Sequence, residues 1–182
     1  MSFLFDKLVK RGLRRTPWTL TGNASGSGSI LVFGAAAGKF TFKWSAEPYS
    51  YEYPWGAAQL SVGFTLPVGV TFSPSDAPSI ATGVYLLPGT TSDLISTDIV
   101  GPFAMVGGAA NGGVGTYLSM IFIGTGSKFA ASTVAIGLTN PVTLQPALAS
   151  FKAVVVVWGS QAASPGLEID YTTGWITSRR VY

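Results

Sequence analysis

The 182-residue chain contains no cysteine and no histidine. The first absence excludes a disulfide framework and thiolate chemistry. The second removes the commonest general base and a leading transition-metal ligand together. Charge is also scarce: charged residues make up 10% of the chain, against about a quarter in ordinary soluble domains. No uninterrupted apolar run of about 18 residues occurs, so no transmembrane helix is expected. Serines are plentiful, but without histidine an activated serine needs a lysine, and no Ser-x-x-Lys stands in a recognisable context. Gly34–Gly38, followed by Lys39, lacks the G-x-x-x-x-G-K-[ST] spacing of a phosphate loop and leads into strand periodicity. A hairpin turn is expected there. These exclusions argue against an enzyme, and no cofactor is implied.

The little charge present is unevenly placed. The net charge is +3, and the first 15 residues alone hold five basic side chains and Asp6. The rest is close to neutral. A surface so poor in charge is poorly soluble unless much of it is covered by copies of itself, by other proteins or by lipid.

Residues 2–15, SFLFDKLVKRGLRR, read as a short basic amphipathic helix. Phe5, Leu8, Val9 and Leu13 fall on one helical face, and Lys7, Lys10, Arg11 and Arg14 on the other, with Arg15 beside them. Ser2 suits the N-cap, Asp6 suits the positive end of the helix dipole, and Pro17 ends the segment. A helix this short is marginal alone in water and needs a surface to lie on. That surface is the protein's own body, an anionic membrane, or nucleic-acid phosphate. The segment lacks the apolar core of a secretory signal. The organisation expected is therefore an arm at 1–16 and one β domain at 17–182, with 22–29, GNASGSGS, as a flexible linker or wide turn.

The body is written in strand periodicity. Phe40, Phe42 and Trp44 alternate with Lys39, Thr41 and Lys43. Tyr49, Tyr51, Tyr53 and Trp55 alternate with Ser50, Glu52 and Pro54, where the proline suggests an edge or a strand end. This aromatic row suits a core, an interface between subunits, or a stacking platform for sugar or base. Residues 67–80 read as a loop, 82–87 as a strand closed by Pro88-Gly89, 107–115 as a turn region, and 117–123 and 132–138 as strands. Four consecutive valines within Phe151–Trp158 indicate a strand buried on both faces. Leu167, Ile169 and Tyr171 alternate with Glu168, Asp170 and Thr172. A short helix is expected within 91–99 or 142–150. Roughly eight to ten strands, punctuated by Gly and Pro, indicate an antiparallel sandwich or jelly roll, with a closed eight-stranded barrel as the alternative.

Glu168 and Asp170 stand two apart on one strand face, close enough for a shared metal or an acid/base pair. The plainer reading is the solvent-facing side of a terminal strand. Asp93 and Asp98, among Ser and Thr, read as turn or cap residues.

A basic arm, a Gly/Ser hinge and a cysteine-free β body resemble the single jelly-roll coat proteins of small icosahedral viruses. The late pair Phe151–Trp158 and Leu167–Tyr171 is similar in character to the closing strands of that fold. The resemblance implies a shell subunit of a virion that assembles with copies of itself and with other shell proteins. Its arm would face internal membrane, genome or neighbouring subunits. The arm here is less basic than a genome-packaging arm, which favours membrane or protein contact. Locally, Val114-Gly-Thr-Tyr-Leu118 with Phe122, Gly126 and Phe129, and Ile30–Lys39, resemble segments of the VapA-type virulence-associated barrels. That family implies a secreted, compact eight-stranded barrel acting at host membranes without enzymatic activity. The leading expectation is thus a non-enzymatic, self-assembling structural protein, and the alternative a membrane-active barrel.

Overall fold

A computed structural model describes residues 12–30, 33–64, 83–111, 115–124, 146–161 and 166–182. Ten β-strands run through it: β1 (Arg14–Arg15), β2 (Trp18–Ile30), β3 (Phe33–Trp44), β4 (Ser50–Phe64), β5 (Gly83–Leu86), β6 (Gly101–Asn111), β7 (Gly115–Ile123), β8 (Ala153–Gln161), β9 (Gly166–Ile176) and β10 (Arg180–Val181). All pairings are antiparallel, in one sheet of order β1-β5-β8-β7-β6-β9-β4-β3-β2, with β10 also on β4. Among the described residues, helix is confined to one turn at 146–149.

The sheet is strongly curled. Its first and last members, β1 and β2, are separated in the chain only by Thr16 and Pro17. This linker is held from both sides. The Thr16 amide and hydroxyl both donate to the Val84 carbonyl of β5, at 2.9 and 3.0 Å, while the Ser45 amide donates to the Pro17 carbonyl at 3.1 Å. The two ends of the strand order therefore meet at what we call the proximal end.

The concave face there is filled with rings. Phe40, Phe42, Tyr53 and Phe103 are fully buried, with Trp18, Tyr51 and Trp55 nearly so. Phe40 stacks on Trp55 at 5.3 Å between centroids, and Phe103 meets both edge-on at 5.7 and 5.6 Å. Each such pair adds about 0.5–1.5 kcal/mol beyond its area burial. The segment between β5 and β6 covers this end. Leu94 and Ile99 are buried, Trp18 Nε1 donates to the Leu94 carbonyl at 2.8 Å, and the Tyr53 hydroxyl donates to the Ser96 carbonyl at 3.0 Å.

β8 is buried on both faces, as its valines suggested: Val154, Val155 and Val156 are wholly enclosed. Val155 belongs to the concave core. Val154 and its register partner Phe122 lie on the convex face, where the Phe151 ring packs against Phe122 at 5.8 Å.

Several sequence expectations are corrected. Residues 22–29 are not a linker: they form the middle of β2, paired residue by residue with β3. The Gly34–Gly38 segment is not a hairpin turn but lies within β3, paired on both sides. Small residues carry little strand preference of their own, so the pairing partners decide. Asn111 extends β6 into the expected turn region at 107–115. Pro54 is not at an edge; β4 lies between β3 and β9. It is tolerated because its missing donor falls opposite the break between β9 and β10, where the Thr177 amide donates to the Pro54 carbonyl at 3.0 Å. The basic helix does not reach Arg15. Gly12 has φ +87°, and Arg14 and Arg15 pair with Leu86 and Tyr85 in extended form. The expected loop at 67–80 and strand at 132–138 lie outside the described residues.

Candidate functional site

Strand alternation and register divide each long strand between two faces. On β4, Tyr51, Tyr53 and Trp55 belong to the concave aromatic core, and Ala57 packs against it. On β9 the core residue Ile176 is the partner of Trp55, which puts 174 and 172 on the concave face as well. Thr172, buried opposite the core-packed Met105, agrees with this assignment.

The sequence pattern changes along one pair of strands. Near the proximal end the concave face is aromatic and the convex face polar: Lys39, Thr41, Lys43 and Glu52 lie there, with a Lys39–Glu52 ion pair. Beyond Ala58 the register pairs two alternating sets of residues. One set is Gln59, Ser61 and Gly63, opposite Thr172, Asp170 and Glu168. The other is Leu60, Val62 and Phe64, opposite Tyr171, Ile169 and Leu167, and Phe33 and Ile30 continue it in register across β3 and β2. No charged residue falls in this second set of eight. At its proximal border the convex positions are small, and Ala35, Ala37, Gly56 and Ala58 are exposed. Trp175, the partner of Gly56, is 38% exposed at the same level.

The residues singled out from sequence are distributed as follows. Leu13 is half-buried, and Arg14 and Arg15 are exposed on the proximal rim, where Arg14 approaches Asp93 at 3.7 Å. Phe5, Lys7, Leu8, Val9, Lys10 and Arg11 lie outside the described residues. Of the aromatic row, Tyr51, Tyr53 and Trp55 are buried in the core of the chain; Tyr49 is exposed, with its ring against Tyr51 at 5.4 Å. Asp98 is not simply a cap. It accepts from the Ile95 amide and also pairs with Lys152 at 2.6 Å, tying the proximal plug to the start of β8. Glu168 and Asp170 do not lie on a terminal strand, because β9 is flanked by β6 and β4.

Two phenols at the proximal rim are shifted. The Tyr51 hydroxyl donates to the Glu47 carboxylate, and this bond, aided by burial, pushes its pKa well above the usual tyrosine range. Burial raises that of Tyr53, opposed by the nearby charge of Arg179. The Arg179 guanidinium lies over the Tyr51 ring at 5.5 Å and donates to the Ser96 hydroxyl. These groups form a structural clasp: they lock the plug to β4 and the C-terminal segment.

Among the described residues no group of three or more His, Cys, Asp or Glu is placed to hold a metal ion. Among the described residues no helix is long and apolar enough to cross a membrane. No protein-family model, curated protein or solved structure matches the chain.

Proposed function

We infer that the chain is a non-enzymatic, closed eight-stranded β-barrel that works by attaching to a membrane. Counting β1 with β2, and β9 with β10, as single bent strands makes the strand order a complete ring. The observation that carries the membrane reading is the register of β4 and β9 beyond Ala58, which pairs an apolar set, Leu60, Val62 and Phe64 with Tyr171, Ile169 and Leu167, in alternation with a polar one; on our reading the apolar set is the outer one. An apolar convex face over a polar concave one is the pattern of a sheet whose outer surface meets lipid. Trp175 at the border suits the aromatic girdle found at membrane–water interfaces.

Dimensions set the depth. From Ala58 to Phe64 the strand advances roughly 20 Å, or about 15 Å along the barrel axis after the usual tilt, roughly half of a ~30 Å hydrocarbon core. Attachment is therefore to one leaflet. The proximal end, sealed by rings and by Leu94 and Ile99, stays in water. Attached protein does not open a pore.

Vesicle flotation tests this reading. The full chain should float with phosphatidylcholine/phosphatidylserine vesicles without releasing a trapped dye. Val62→Glu, on the convex face, should lower the floated fraction about tenfold, whereas the neighbouring concave substitution Ser61→Asn should leave it unchanged. Equal flotation of both variants would overturn the assignment.

One observation favours the self-assembling subunit instead. The exposed strip Ala35, Ala37, Gly56 and Ala58 is flat enough for another copy to approach closely. On that reading light scattering of lipid-free protein gives a discrete large particle, and Val62→Glu dissociates it.

A further inference from the structure

The outer face of β3, β4 and β10 at the proximal end is cationic. Phe42 and Tyr51 belong to the core, so their chain neighbours Lys43 and Ser50 point outward. Backbone register sets the outward side chains in rows. Thr19 is the partner of Lys43 and Lys43 of Ser50, while the main chains of Ser50 and Tyr182 exchange two hydrogen bonds at 3.0 Å. The next row reads Thr41, Glu52, Arg180. Lys43, Arg180 and Tyr182 are exposed, Tyr182 at 65%.

The carboxylates of this end are already engaged. Glu52 is paired with Lys39, and its side chain is only 19% exposed. Asp98 is paired with Lys152, Asp93 with Arg14, and Glu47 accepts from the Tyr51 hydroxyl. Among the described residues Lys43 and Arg180 have no acidic partner. Two strands across and one row along, their Cα atoms stand about 12 Å apart, close enough for both long side chains to reach over Ser50. A surplus of one sign on one face draws ligands of the other sign to it.

The groups on this face select the anion. Lys and Arg only donate, and the hydroxyls of Thr19, Ser50 and Tyr182 can donate beside them, which is the mix that holds phosphate oxygens. An exposed ring among cations adds a stacking surface for a base, and a single strand leaves its bases free to stack. A duplex does not, and an acidic peptide has no base to offer. The two rows carry no aliphatic side chain, which counts against a lipid surface at this end. We propose that the outer face of β3, β4 and β10 binds single-stranded nucleic acid, with Lys43 and Arg180 on its phosphates and Tyr182 under a base. The proposal rests neither on closure of the barrel nor on membrane attachment.

Fluorescence anisotropy of labelled oligothymidylate and oligouridylate with the full chain tests it. At least one should bind saturably, and more weakly as salt is raised. The double variant Lys43→Gln/Arg180→Gln should bind about tenfold more weakly and with a shallower salt dependence. Tyr182→Ala should bind about five-fold more weakly with the salt dependence unchanged. All three side chains are exposed, so melting temperatures should match the parent's. No saturable binding, or an affinity unchanged in the double variant, overturns the proposal. Equal affinity for duplex DNA, polyglutamate or phosphatidylserine vesicles also overturns it. Flotation on neutral phosphatidylcholine vesicles should be the same for the double variant and the parent, so failure of this proposal and failure of membrane attachment are read separately.

Discussion

Trp18 donates its indole N–H to the carbonyl oxygen of Leu94 at 2.8 Å, joining the first residue of β2 to the plug that covers the proximal end. Both partners are buried. Trp18→Phe keeps most of the ring volume but leaves the Leu94 carbonyl without a donor, which should cost about 1–3 kcal/mol. Trp18→Ala adds a cavity and should cost about 3–5 kcal/mol. Urea unfolding followed by circular dichroism measures both, and equal midpoints for Trp18→Phe and the parent would contradict the role given to this bond.

Glycines 56 and 174 sit on adjacent strands and should respond oppositely to a methyl group. A Cβ at Gly174 would meet the Gly56 carbonyl oxygen at 2.3 Å and the Ala57 Cβ at 2.5 Å, whereas one at Gly56 meets nothing within 4 Å. Gly174→Ala must force β4 and β9 apart and should cost at least about 1–3 kcal/mol, the range for overpacking. Gly56→Ala should be neutral or slightly stabilising. Thermal melts of the two variants, compared side by side, check the closeness of the β4–β9 pairing on which the face assignment depends.

Much of this was legible in the sequence, and the rest was hidden for physical reasons. The alternation at Phe40, Phe42 and Trp44 marked a buried face and a wet one, and Phe40 and Phe42 are indeed buried, because large rings on one side leave few alternatives. The glycines and serines of 22–29 suggested a linker because such residues express no face; their strand character comes from pairing with β3. Arg14 fitted a helical stripe, with Arg15 beside it, but the αL backbone of Gly12 and pairing with β5 place both in a strand. The alternation of Leu167, Ile169 and Tyr171 with Glu168, Asp170 and Thr172 was plain, yet its sense was not. An apolar stripe is taken as inward by default. The register of Ile176 against Trp55 is what suggests the proposed outward sense.

The phenols of the proximal clasp give a pH dependence. Folding raises the pKa of Tyr51, through its bond to Glu47, and that of Tyr53, through burial. A group whose pKa is raised binds its proton more tightly when folded, so its contribution is intact below the unfolded value near 10 and is lost as pH rises above it. Stability should be flat from neutrality to about pH 9.5 and fall beyond it. Tyr51→Phe should flatten the alkaline limb of a urea midpoint plotted against pH. A limb unchanged in that variant and in Tyr53→Phe would contradict the assignment.

Asp98 and Lys152 pair at 2.6 Å with side chains 26% and 17% exposed, and Asp98 also accepts from the Ile95 amide. Because the pair is partly screened, its rupture should cost less than that of a fully buried one. Asp98→Asn keeps an acceptor and should cost about 1 kcal/mol, while Asp98→Ala loses both contacts and should cost about 2 kcal/mol. A double-mutant cycle with Lys152→Met isolates the ionic part.

The most direct measurement is vesicle flotation of the parent chain, Val62→Glu and Ser61→Asn, with a trapped dye in the same vesicles. A charge on a lipid-facing strand position costs about 2 kcal/mol at intermediate depth. The expected result is flotation of the parent and Ser61→Asn, marked loss for Val62→Glu, and no dye release in any sample. Failure of the parent to float, or equal flotation of Val62→Glu and the parent, would show that the convex face of β4 and β9 does not meet lipid.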